Sequence, residues 1–168
     1  MKEIKISLPI PPSVNSAYAN KIGGAGRVKS KRAVQFSVDA INSMYGLPKA
    51  IEGHIRIMNK KKDDLIRAYV QKNPASAIGA SIPKILLAAI YGMPPSDRPF
   101  YHIEVDIFFK DNSRPRDIMN FEKLATDFLV GVGIILDDYL IDAFTIRRAA
   151  FDKINPRMEY TIKIFNET

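Results

Sequence analysis

The sequence predicts a mixed α/β (α+β) fold, a single domain over residues 1–168 in which helices pack on a mixed β-sheet. Three observations carry that prediction. Apolar and polar residues alternate along residues 4–8, 102–108 and 158–165, up to a final phenylalanine in the last two. Apolar residues fall at helical spacing at residues 31–45 and 118–130. The 168 residues are 46% hydrophobic and 26% charged, enough for one substantial core.

The elements follow in order. Ile4, Ile6 and Leu8 alternate with Lys5 and Ser7, a half-buried strand that Pro9 ends. PIPPSVNSAY comes next. Its three prolines remove donors and fix φ, so no regular structure is expected there. Residues 21–31, KIGGAGRVKSK, are glycine-rich and basic and read as a mobile loop. Ala33, Phe36, Ala40, Ile41 and Met44 then predict a helix over 31–45. IEGHIRIM reads as a short strand, and KKKDDLIRAYVQK as the exposed start of a helix broken at Asn73 and Pro74. A second apolar helix, read as core, reaches about Tyr91, and GMPPSDRP connects onward. A strand at 102–108 and a helix at 118–130 follow, with GVG as the stop. IIL reads as a short strand, LIDAFTIRRAAF as another, and MEYTIKIF as the last. His54 and His102, isolated in strand-like runs, read as structural.

The formal charge of +7 favours an anionic partner, nucleic acid being the commonest. The absence of cysteine excludes disulfides and thiolate metal sites and suits a cytoplasmic setting. The start MKEIKISLPIPPS interleaves charged and apolar residues, unlike a signal peptide. The most apolar window, residues 76–91, contains Gly79, Pro83 and Lys84, so no membrane span is expected.

The stretch RPRDIMNFEKLATDFLVGVGIILDD, residues 114–138, carries acids at both ends of one helix. On a helical wheel Ile118, Phe121, Leu124, Ala125, Phe128 and Leu129 form the apolar face, with Asn120, Lys123 and Asp127 opposite. Met119 falls on the polar side, so packing does not require it. Asp117 belongs just before the helix. Two readings stand side by side. In one, Asp117 is an N-cap, Lys123 and Asp127 are an i,i+4 pair, and Asp137 and Asp138 form a turn. In the other, a turn and a short strand return the chain along the helix, so that the acids meet. Carboxylates held together need a cation, and hard oxygen ligands without His or Cys suit Mg²⁺. Arg116 and Lys123 would then hold a phosphate.

Two blocks resemble the RusA family of Holliday-junction resolvases. LPIPPSVNSAY, followed by GRVKS and a helix, is similar to the family's PPS-x-N-x-x-Y segment. RDIMNFEKLATDFLVGVGIILDD is similar to its R-D-x-D-N-x-x-K-x-x-x-D-x-L run, glycine-containing turn and aspartate pair. With the final strands, the likeness covers roughly residues 2–46 and 100–166, and leaves a long insertion at about 47–98. It implies a RusA-like homodimer that resolves four-way DNA junctions by paired nicks in recombination and repair, with Mg²⁺ as cofactor and Mn²⁺ as substitute. It implies Asp117, Asp138 and the preceding Asp137 as metal ligands, and Asp117, Lys123 and Asp138 as catalytic residues. Arg116 and Asn120 match residues on the DNA side. Phage or prophage origin in a bacterial host would go with it.

Met119 departs from the pattern, standing where the family has its second aspartate. A thioether binds Mg²⁺ poorly, which puts two-metal chemistry in doubt. Glu122 and Asp127 are the nearest replacement carboxylates. A second hypothesis therefore stands beside the endonuclease: a branched-DNA-binding protein of the same fold with impaired catalysis. In the basic loop, Arg27, Lys29, Lys31 and Arg32 are expected to contact the DNA backbone. GGAGRVKS misses a phosphate-binding P-loop because Val28 stands where glycine is required.

Overall fold

A computed structural model describes residues 1–20, 27–112 and 117–166. Its centre is a four-stranded mixed sheet in the order β1 (Lys2–Pro9), β6 (Arg157–Phe165), β4 (Phe100–Phe108), β5 (Ile141–Arg148). β6 runs antiparallel to both β1 and β4, whereas β4 and β5 are parallel. The alternation read from the sequence becomes one buried sheet face. Ile4, Ile6 and Leu8 share it with Tyr101, Ile103, Val105 and Ile107, and with Met158, Tyr160, Ile162 and Ile164. The opposite face is polar. There Lys163 pairs with Glu104 at 2.5 Å, Arg147 pairs with Asp106, and Phe100 stacks on Phe165 at one end.

The proline-rich segment after β1 is more ordered than expected. The turn of helix α1 (Val14–Ala17) forms because the Ser13 carbonyl accepts from the amides of Ser16 and Ala17, both beyond the prolines. Strand β2 (Tyr18–Asn20) follows and pairs antiparallel with β3 (Arg27–Lys29). Arg27 and Lys29, expected in a loop, therefore belong to a short hairpin. The rest of the expected loop, residues 21–26, lies outside the described residues. Helix α2 (Lys31–Ser43) begins at Ser30, whose hydroxyl accepts from the Ala33 amide, and it buries Ala33, Phe36 and Ala40.

The region 47–98 is helical where a strand was expected. IEGHIRIM lies inside one 24-residue helix, α3 (Lys49–Lys72). Its buried residues Ile51, His54 and Met58 are spaced by three and four, and that helical contact with the core overrides the local alternation. KKKDDLIRAYVQK continues the same helix and Asn73 ends it. The short α4 (Pro74–Ala77) follows. Gly79, at φ +74°, turns the chain into α5 (Ile82–Tyr91), which packs back on α3.

Helix α6 (Glu122–Val132), preceded by a 3₁₀ turn at Ile118–Phe121, links β4 to β5. It buries Leu124, Ala125, Phe128 and Leu129, the face the wheel assigned to the core. Gly133 ends it in the left-handed conformation, φ +88°. IIL is not a strand. Ile134, Ile135 and Leu136 are all fully buried, whereas a strand with one covered face would alternate. They fill the space at the end of the sheet, where the Leu136 amide donates to the Tyr101 hydroxyl at 3.0 Å.

Candidate nucleic-acid groove

β4 and β5 are parallel, Tyr101 opposite Ile141 and Ile107 opposite Arg148, with one shift of register after Tyr101. Helix α6 must therefore run back from the end where β4 finishes to the end where it begins. Asp117 precedes α6 and lies at the first end. Asp137 and Asp138 follow it and lie at the second, next to the Tyr101 end of β4. The 11 residues of α6 alone separate them by about 16 Å. The expectation that the two ends of the 114–138 stretch meet is thus corrected, because the segment needed to bring the chain back is compact loop.

Each acid has local work. The Asp117 carboxylate accepts from the Met119 amide at 3.0 Å and caps the 3₁₀ turn. Asp137 does the same for the Tyr139 amide, also at 3.0 Å. Burial raises the Asp137 pKa above its ordinary value, against the lowering effect of that amide, and the neighbouring Asp138 adds to the rise. Lys123 pairs with Asp127 at 3.6 Å, as an i,i+4 pair would, and Asp127 also accepts from the Tyr18 hydroxyl at 3.3 Å. The Tyr18 pKa is raised, first by burial and then by Asp127. Glu122 accepts from the Thr126 hydroxyl. Met119 is 59% exposed, in agreement with its place on the wheel. Among the described residues no three His, Asp or Glu side chains gather as a metal site. No such group forms around Asp117, Asp137 or Asp138 among the described residues of one chain.

The structure does assemble a groove of about 640 Å³ beside Asp117. Its walls come from the prolines leaving β1, from Ser13 and Ser16 of the α1 turn, from Arg32, Gln35 and Asp39 of α2, and from Asp117 and Asn120. Residues some hundred positions apart in sequence thus share one surface. Arg32, Ser13, Ser16, Gln35 and Asn120 supply hydrogen-bond donors. Asp39, held by Gln35 at 2.8 Å, is a lining residue that the sequence reading did not single out. Its only signal was the i,i+4 spacing to Gln35. Next to the groove, Arg27 and Lys29 stand exposed on β3, and Lys31 and Arg32 stand exposed on the first turn of α2. The Ser30 hydroxyl, bonded to the Ser16 carbonyl at 2.7 Å, fastens these basic residues to the groove wall. Arg116 lies outside the described residues.

The insertion reaches the other end of α6. Lys62 of α3 donates to the Val130 carbonyl, Asn59 to that of Val132 at 3.3 Å, and His54 to that of Ile134 at 2.8 Å. The Val130 and Val132 carbonyls belong to the last turn of α6, where the helix supplies few donors, and the Ile134 carbonyl lies just past it. Burial lowers the Lys62 pKa. The Tyr91 ring of α5 packs on Tyr139, with centroids 4.6 Å apart. The loop carrying Asp137 and Asp138 is therefore clamped by the inserted helices.

No model of a known protein family matches the chain, and no curated protein matches it in sequence. Among the described residues no helix is long and apolar enough to cross a membrane.

Proposed function

We propose that this chain is a RusA-like protein that binds branched DNA, with the groove and the β2–β3 hairpin holding the phosphate backbone. The observation that carries this reading is the meeting of the two resembling blocks. Arg32 and Ser16 from the first line the same groove as Asp117 and Asn120 from the second. Arg27, Lys29 and Lys31 extend the cationic surface beside it, on a chain of net charge +7. A four-way junction has two-fold symmetry, so a homodimer offering two such grooves suits it.

The Mg²⁺-dependent junction endonuclease is the second reading, favoured by the length and position-specificity of the 114–138 block. It requires Asp117 and Asp138 to act together, and in one chain α6 stands between them. Binding without cleavage is for that reason preferred.

A synthetic four-way junction tests both readings. In the absence of metal, the chain is expected to bind it more tightly than linear duplex, with strong salt dependence. With Mg²⁺ or Mn²⁺ no nicks are expected, and Met119→Asp gains none. Metal-dependent nicks that vanish in Asp138→Asn would establish the endonuclease instead. Failure to bind any branched DNA would remove both.

A further inference from the structure

Helix α3 buries one side and leaves the side next to it uncovered. Ile51, His54 and Met58 face the core. Roughly a quarter turn round the helix, Ile57, Lys61, Asp64 and Ala68 form a second stripe, spaced by four, three and four. Ile57 is 59% exposed. A shallow hollow of about 510 Å³ follows this stripe from Ile57 and Lys60 to Leu65 and Ala68. Leu65 and Ala68 also line a hollow of about 320 Å³ between α3 and α5, closed on its far side by Ala88, Ala89 and Met93. Through these shared residues the two hollows form one channel, which reaches Lys72. From Ile57 to Lys72 it follows α3 for about 22 Å, or about four helical turns.

The channel is apolar along its floor and cationic along its rim. Leu65, Ala68, Ala89 and Met93 lie within it, and Lys60, Lys61 and Lys72 border it. Among the described residues none of these three lysines has an ion-pair partner. Asp64 is the only acid lining either hollow. On the polar face of the sheet, by contrast, Lys163, Arg147 and Arg157 are each matched by a carboxylate. A phosphate backbone would suit the lysines but has no apolar side for Ile57, Leu65 and Met93. A second copy of the chain would bring α2, α3 or α5, each of net positive charge, and α3 alone holds seven Lys and Arg against three acids. An amphipathic helix with acidic flanks meets both features. Its apolar side fills the floor, and its carboxylates face the rim.

We propose that the channel between α3 and α5 docks an acidic amphipathic helix of a partner protein, about four turns long. Its apolar side lies on Ile57, Leu65, Ala68 and Met93, and its carboxylates meet Lys60, Lys61 and Lys72. The insertion is then a recruiting surface, separate from the groove at the start of α6. This assignment does not rest on the DNA-binding reading.

The probe is a fluorescein-labelled peptide of about 18 residues, with leucine at heptad positions a and d and glutamate or alanine elsewhere. Fluorescence anisotropy with the full chain is expected to show saturable binding with a Kd of about 10–100 µM. The same peptide with lysine in place of glutamate should bind at least about tenfold more weakly. Ala68→Gln places a long uncharged side chain in the channel at an exposed helical position. It should weaken binding by about tenfold or more while the circular dichroism spectrum stays unchanged. Lys60→Gln/Lys61→Gln/Lys72→Gln should weaken it to a similar degree. Lys49→Gln/Lys110→Gln/Lys153→Gln, three exposed lysines outside the channel, should leave it within about twofold. No saturable binding up to about 1 mM peptide, full affinity in Ala68→Gln, or equal loss from the two lysine sets would each overturn the assignment. Displacement of the peptide by a synthetic four-way junction would overturn it too, and would give the channel to DNA.

Discussion

Both ring nitrogens of His54 are engaged inside the protein, and the chemistry of the two partners settles their roles. The Ile134 carbonyl can only accept, so Nε2 carries the proton. The Lys2 ammonium, 2.8 Å from Nδ1, can only donate. One imidazole thus joins the first strand, the inserted helix and the loop after α6. His54→Ala removes both bonds and leaves a cavity at a site only 1% exposed. A loss of about 2–4 kcal/mol is expected, a fall in Tm of about 5–15 °C. Thermal melting measures it, and a change below about 1 kcal/mol would mean that this junction is dispensable. The structural role of His54 was legible in its place as a lone histidine in an apolar run, but that run was read as a strand and its helix was not. The exposure of Met119 agrees with its place on the wheel, although residues 118–121 form a 3₁₀ turn and not the start of the α-helix. Asp39 was hidden, since nothing near it in sequence marks a groove built from α1 and the segment before α6.

The end of α6 shows how one element is fixed by another. Gly133 holds φ +88°, and a Cβ there would run into the Asn59 side chain of α3. Gly133→Ala therefore combines left-handed strain of about 1–2 kcal/mol with a clash. Asn59→Ala made in the same chain should relieve the clash but not the strain. A double-mutant cycle in urea is expected to show coupling of at least about 0.5 kcal/mol, and strict additivity would contradict the contact.

Asp137, just beyond, has its folded-state pKa raised by burial, so the folded chain holds that proton more tightly than the unfolded chain does. Stability from this group is accordingly greatest below the ordinary aspartate range and declines as pH rises through the raised pKa. Asparagine can still accept from the Tyr139 amide. Asp137→Asn should match wild type near pH ~3 and exceed it in urea melts near pH ~7. The reverse order at neutral pH would show that attraction to Lys62 outweighs burial. This clamp could not be read from sequence, and α3 was readable only in its second half, KKKDDLIRAYVQK. In IEGHIRIM the isoleucines alternate like a strand, and only contact with the core selects the helical set Ile51, His54 and Met58.

At the scale of the molecule, the alternating strands were readable because one sheet face is buried and the other is wet. The distance between Asp117 and Asp138 was not, because it depends on β5 pairing parallel to β4, a long-range choice that residues 114–138 do not encode. The same pairing leaves the proposed DNA-facing surface resting on α2, the hairpin and the groove, where Arg27, Lys29, Lys31 and Arg32 stand exposed. Replacing Lys29, Lys31 and Arg32 together with alanine tests that surface. All three are exposed, so stability should change by no more than about 0.5 kcal/mol per site. If each neutralises one phosphate, the slope of log binding constant against log salt should flatten by about 2–3 for duplex arms, with affinity falling most at low salt. Lys60, Lys61 and Arg67 of α3 provide the comparison, a basic set of equal size in the insertion. Equal flattening from both sets would indicate general attraction by net charge. A steep loss from the α2 and hairpin set alone would assign the backbone contacts to the groove, and an unchanged slope would take that surface off the DNA.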